Sequence, residues 1–208
     1  MIRTAVLVSG NGAKLQTILD SMYFGEIPNY ELVAVICTEE NAQALRRCKN
    51  AGVEAVVVET SDFPTRLSYS MAISNKLCDM DIELVVLAGY NMPLGVIANR
   101  FRNRVIGVYP SLVPSFEGNA NPARSAMERG CKVAGATSYF ADSDGKIGPI
   151  IGQQAVEIRQ DDTLETLERR ILEEAEWKLL PKAIIYYCQN RLEIHGDRVV
   201  IKETPWKN

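Results

Sequence analysis

The chain has 208 residues, enough for one α/β domain with a full core or for two small ones. Its formal charge is −3 and no basic run is interleaved with aromatics, which excludes the usual footprint of a nucleic-acid-binding surface but leaves room for a small anion held at a helix end. Five scattered cysteines with no C-x-x-C pair argue against a zinc ribbon or a disulfide framework, and no run approaches the roughly 18 apolar residues of a membrane span; the expectation is a cytoplasmic protein with reduced thiols.

Arg3 to Ser9 (RTAVLVS) reads as a buried strand that feeds the turn Gly10-Asn11-Gly12. From Ala13 to Met22, apolar Leu15, Ile18, Leu19 and Met22 recur at helical spacing, so the turn delivers backbone N–H groups to a helix start, an end that attracts phosphate. The Gly-x-Gly turn is unspecific by itself, because a ligand-free strand-to-helix turn uses the same glycines. Lys14 in the first helical turn opposes the helix dipole unless an anion lies nearby; a bound phosphate would supply one, and a solvated lysine is the plain alternative.

Strand-like and helix-like runs then alternate: Leu32 to Cys37, a helix around Ala42 to Asn50, Ala55 to Val58, a helix from Thr65 to Leu77, and Leu84 to Ala88. Strands near Val105 to Val108 and Val133 to Phe140 bracket a helix from about Asn121 to Arg129. This order predicts an α/β fold with a doubly wound, mostly parallel sheet in a single domain. Ligands of such sheets sit outside the C-terminal strand ends, here the turn Gly10 to Gly12, the loop Gly89 to Leu94 and the loop Val108 to Gly118. The last is shaped by Pro110, Pro114 and Gly118, and its polar side chains, Tyr109, Ser111 and Ser115, are few.

Downstream, Gly148 to Glu157 reads as a turn and a strand. Thr163 is the expected N-cap of one long amphipathic helix running to about Gln189, with Leu164, Leu167, Ile171, Leu172, Ala175, Leu179 and Leu180 along its apolar stripe and its charges on a solvated face. Leu192 to Ile201, around His195-Gly196-Asp197, suggests a hairpin that leaves the only histidine, His195, on the surface. A nicotinamide-dinucleotide module is disfavoured: Glu39 and Glu40 after the second strand could mimic a ribose-binding acid, but the first turn lacks the third glycine of that fingerprint.

Taken in order, SGNGAKLQ at Ser9 to Gln16, VVLAGY at Val85 to Tyr90, YPSLVPSFEG at Tyr109 to Gly118, GPIIGQQAVEI through DDTLETLERR at Gly148 to Arg170, and the RLEIHGDRVVI tail resemble the glycinamide ribonucleotide formyltransferases. The resemblance implies a Rossmann-like formyltransferase domain over residues 1–208, with a phosphate- and ribonucleotide-binding half at 1–100 and a folate and active-site half at 101–208. It implies formyl transfer from 10-formyltetrahydrofolate to glycinamide ribonucleotide in purine biosynthesis, with no metal, no permanently bound cofactor, and a monomer or homodimer. It places the ribonucleotide on Asn11, Gly12, Ala13, Lys14 and Leu15, on Pro110 and on Glu176, and the folate near Tyr90, Asn91, Met92, Leu94 and Phe140.

The family's Asn-x-His-Pro tetrapeptide and following aspartate fall, by this resemblance, on Gly107, Tyr109 and Lys146. Met92 replaces an arginine common among relatives, and Asn119 to Pro122 replaces a histidine-bearing segment. Amine attack on a formamide-like carbon needs an oxyanion donor and a proton carrier. Gly107 has no side chain to donate from, and a tyrosine with a pKa near about 10 cannot shuttle protons at neutrality as imidazole does. The expected function is therefore a phosphorylated-metabolite binding module on a transferase scaffold. The alternative is a rewired one-carbon transferase using Tyr109 and Lys146, and an exposed Lys146 favours the first.

Overall fold

The computed structural model describes residues 1–40 and 43–203. Nine strands form one sheet in the order β3-β2-β1-β4-β5-β6-β7-β9-β8. They are β1 (Ile2–Val8), β2 (Tyr30–Cys37), β3 (Ala55–Val57), β4 (Leu84–Leu87), β5 (Val105–Tyr109), β6 (Val133–Ala141), β7 (Ile147–Glu157), β8 (Leu192–His195) and β9 (Arg198–Ile201). The first five pair in parallel, and β6 runs antiparallel between β5 and β7. The expected hairpin is β8–β9, joined to β7 through a single register position, Ile150 opposite Arg198.

Alternation along each strand explains why the inner strands read as continuous apolar runs. Val6, Val8, Val35, Cys37, Leu84 and Val86 enter one core, while Ala5, Leu7, Ile36, Val85 and Leu87 enter another on the opposite face. The first core is closed by α1 (Ala13–Tyr23), α2 (Gln43–Ala51) and α7 (Trp177–Cys188); the second by α3 (Arg66–Asp79) and the short α4 (Val96–Arg100). Each fully buried Leu, Ile or Val contributes about 1.5–3 kcal/mol, so this two-sided burial holds the strand ends in fixed relation. Ala42, the expected start of the second helix, lies outside the described residues.

The long helix begins as expected. The Thr163 hydroxyl accepts from the Thr166 amide at 3.2 Å and the Thr163 amide donates to the Thr166 hydroxyl at 2.9 Å, a reciprocal capping box that starts α6 (Leu164–Ile171). It is not one regular helix, however, because a π turn, Leu172–Glu176, lies between α6 and α7. Both Ala175 and Glu176 are buried at this wide turn, so one acid leaves the solvated face predicted for it. Two further elements were not expected, α4 and a 3₁₀ turn at Thr60–Asp62; the helix expected from about Asn121 to Arg129 is α5 (Pro122–Glu128), with Asn121 as its N-cap.

Candidate functional site

β1, β4 and β5 are parallel and end at Val8, Leu87 and Tyr109, so the loops that follow them share one edge of the sheet. The first and second loops touch: the Asn91 amide donates to the Ser9 hydroxyl at 3.4 Å, and Thr38 donates to the same oxygen at 3.1 Å. The turn is also tied from inside and from α2. The Asn11 side chain accepts from the Ala13 amide at 2.9 Å, and Arg47 donates from Nε to the Asn11 carbonyl at 3.0 Å and from Nη1 to Gln16 at 2.8 Å. Gly12 sits at φ +66°, where a Cβ would lie 2.9 Å from the Ala44 methyl, so the turn both needs glycine and packs against α2.

Lys14 is not a solvated lysine. Its ammonium lies 2.5 Å from Glu176 Oε1, with the glutamate side chain 5% exposed and the lysine 18%. The anion at this helix start is thus a carboxylate of the protein's own π turn. Burial pushes the Glu176 carboxyl above its ordinary range, and Lys14 opposes that rise. Glu176 also lines a cavity of about 240 Å³ with Pro110, Asn121, Pro122, Glu168 and Leu172, so the structure brings together Lys14, Pro110 and Glu176. A separate polar cleft surrounds Asp162, whose carboxylate receives both Arg170 terminal nitrogens at 2.6 Å.

The loop after β5 spends its polar groups on itself. The Tyr109 hydroxyl lies 2.9 Å from the carbonyls of Phe116 and of Asn119 and donates to this pair, while burial pushes its pKa up. Ser111 Oγ donates to the Ser115 carbonyl and Thr137 Oγ1 to the Ser111 carbonyl, each at 2.6 Å. Lys146 is exposed on the turn between β6 and β7, where its amide donates to Asp142 Oδ1 at 2.8 Å. Gly107 is buried in β5, directly opposite Tyr139.

On the other side of the rim, Tyr90 and Met92 are half-buried against the second core and Asn91 is exposed. Burial drives the Tyr90 hydroxyl well above the usual tyrosine range, with Tyr69 beside it. Leu94 and Phe140 are core residues, 4% and 1% exposed, so of the five positions only Tyr90, Asn91 and Met92 keep any side-chain surface at the rim. His195 is exposed in the hairpin, 3.6 Å from Glu193. The residues that sequence reasoning did not single out are Ser9, Arg47 and Tyr139. The sequence carries no signal for Tyr139 until the β5–β6 register is known.

These features define an α/β protein of Rossmann-like formyltransferase type, with a helix-start turn and a proline-shaped loop facing a buried acid. The formyl transferase family model matches residues 2–184, and the chain belongs to that family. It is 33% identical to the phosphoribosylglycinamide formyltransferase of Haemophilus influenzae over 95% of this chain and 92% of that protein. It is 32% identical over 93% of its length to the chicken trifunctional purine biosynthetic protein adenosine-3, of which it spans only 19%. The crystal structure of glycinamide ribonucleotide transformylase 1 from Symbiobacterium toebii superposes with a TM-score of 0.93 at 40% identity, covering 98% of this chain and 95% of that one. No helix among the described residues is long and apolar enough to cross a membrane.

Proposed function

We propose that this protein binds a phosphorylated ribosylamide, glycinamide ribonucleotide or a close analogue, and does not carry out formyl transfer by its family's usual chemistry. In this reading the phosphate takes the Asn11 to Leu15 turn, and the ribosyl group lies between Pro110 and Glu176. Relatives named for that ribonucleotide's transformylation supply the substrate class. The first half of the chain, 1–100, carries the phosphate turn, and 101–208 the loop and the buried acid.

The observation that carries the loss of turnover is the set Gly107, Tyr109 and Lys146. Gly107 has nothing to donate, the Tyr109 hydroxyl is committed to loop carbonyls, and Lys146 is exposed where a general base needs burial to lower its pKa. A transferase using Tyr109 and Lys146 finds no support in those placements. Binding of 10-formyltetrahydrofolate as cosubstrate is likewise weakened, since Leu94 and Phe140 lie in the cores.

Calorimetry with glycinamide ribonucleotide and with a folate analogue, followed by a formyl-transfer assay, tests the reading. Binding of the ribonucleotide without turnover is expected. Turnover that disappears in Tyr109→Phe or Lys146→Ala establishes the rewired enzyme instead.

A further inference from the structure

Gly107 is glycine for space, not for backbone freedom. It lies within β5 and is absent from the glycines that adopt a positive φ, so the strand itself accepts any residue there. A Cβ on Gly107 would lie 2.8 Å from both Cζ and the hydroxyl oxygen of Tyr139. The two residues are direct partners in the antiparallel β5–β6 ladder, and directly opposed residues project from the same face. The phenol of Tyr139 thus occupies the volume that a side chain at position 107 would need.

That phenol is placed differently from its neighbour. Tyr109 spends its hydroxyl on the Phe116 and Asn119 carbonyls, whereas the Tyr139 hydroxyl makes no hydrogen bond among the described residues. Its ring packs with Tyr90 and Met92 against the second core, on the face that Gly107 and Tyr109 share. Burial and the nearby Tyr109 push its pKa up to about 12, so it holds its proton throughout the physiological range. A packed ring with an uncommitted donor, opposite Gly107 near the sheet edge that the three loops share, has the chemistry of a carbonyl-recognition group.

We infer that Tyr139 is a specificity-determining residue of the rim, its hydroxyl donating over Gly107 to a carbonyl or amide oxygen on a phosphorylated ribosyl ligand. The inference rests on the binding function proposed above and adds what distinguishes one sugar phosphate from another. The phosphate turn supplies affinity common to all of them; Tyr139 supplies a hydrogen bond available only to those with a carbonyl-bearing arm.

The test is calorimetric binding of glycinamide ribonucleotide and of ribose 5-phosphate to the full chain and to Tyr139→Phe, which keeps the ring and its packing. A neutral hydrogen bond of about 1 kcal/mol corresponds to about a fivefold change in Kd. The ribonucleotide is expected to weaken about fivefold in Tyr139→Phe while ribose 5-phosphate is unchanged. Gly107→Ala, which pushes the phenol aside, is expected to give the same selective loss. Equal ribonucleotide affinities for wild type and Tyr139→Phe, with the ribonucleotide still outbinding ribose 5-phosphate, overturn the role of Tyr139 and leave the binding function intact. An equal loss for both ligands marks Tyr139 as packing only and also overturns it. If neither ligand binds the wild-type protein, the proposed function fails and the inference with it.

Discussion

The ammonium of Lys14 and the carboxylate of Glu176 meet at 2.5 Å and join the first turn of α1 to the π turn between α6 and α7. Each residue alone is unfavourable: a cation at a helix N-terminus opposes the dipole, and a carboxylate without solvent loses its hydration. Together they offset one another. Because the lysine charge is taken, attraction of an anion to the Gly10 to Gly12 turn falls to backbone N–H groups and the helix dipole.

Removing one partner of a buried pair leaves the other charge unpaired, at a cost of about 3–5 kcal/mol. Glu176→Ala is therefore expected to lower the melting temperature by roughly 6–12 °C at the low end of that range. The double variant Lys14→Met/Glu176→Met is expected to recover most of the loss, since well-packed apolar residues replace such pairs at little cost. Thermal melts of the three proteins decide it; a single variant that melts with the wild type removes the pair from the list of stabilising contacts.

Tyr109 is expected to act through the loop. Phe116 sits at φ +56°, a conformation rare for a bulky side chain, and its carbonyl is one of the two that the Tyr109 hydroxyl reaches. Tyr109→Phe should cost about 1 kcal/mol and let that segment relax. Hydrogen exchange should accelerate across Ser111 to Asn121 with β1 and β4 unchanged. Protection that stays at wild-type levels would show that the hydroxyl does not hold the loop.

Lys146 is exposed, and among the described residues its hydrogen bonds run through its backbone alone. Lys146→Ala should shift stability by less than about 0.5 kcal/mol. Ribonucleotide affinity should stay within roughly twofold of wild type, since an exposed side chain that makes no contact with the ligand changes the binding free energy by less than about 0.5 kcal/mol. A tenfold or larger loss in calorimetry would return Lys146 to the site.

Asp162 gives the clearest pH signature. Its carboxylate is held by the Arg170 fork, the Arg159 amide and the Thr166 hydroxyl, and the Arg170 bonds, ahead of the others, keep its pKa far below the ordinary carboxylate range. A carboxyl depressed in the folded state stabilises fully above its unfolded pKa of about 3.9 and loses that contribution as pH falls through the folded value. Asp162→Asn should therefore melt below the wild type at pH 7, with the gap narrowing only below about pH 4. A gap independent of pH from 7 to 3 would trace the loss to packing instead.

What the sequence made legible was local. Apolar runs marked the strands because both sheet faces are covered, and Thr163 marked the start of α6 because its cap lies within three residues. α4 escaped because it has five residues and a Gly95 cap with no side-chain bond. Along the rim the sequence made legible the glycine turn at Gly12 and the proline-shaped loop at Pro110, both set by local backbone, and left illegible whatever depends on distant partners. Lys14 and Glu176 are brought together only by packing α1 on α7, and Tyr139 meets Gly107 only in one register of β5 on β6. A helical periodicity likewise cannot show that a π turn swings one acid of a charged face inward.

Gly12 tests whether the first turn is the phosphate seat. Two independent effects oppose a side chain there: a positive φ costs an L-residue about 1–2 kcal/mol, and the new methyl would overlap Ala44, a backbone-anchored neighbour on α2 that cannot swing aside. Gly12→Ala should thus both destabilise the protein and move the turn, Asn11 included, away from Arg47. A change confined to global stability would leave ligand affinity intact at temperatures where the variant is folded. If the turn holds the phosphate, glycinamide ribonucleotide and ribose 5-phosphate must weaken in parallel, because the phosphate is what they share. Calorimetry on folded Gly12→Ala separates the two: parallel loss supports the turn as the anion seat, and unchanged affinity for both ligands places the phosphate elsewhere.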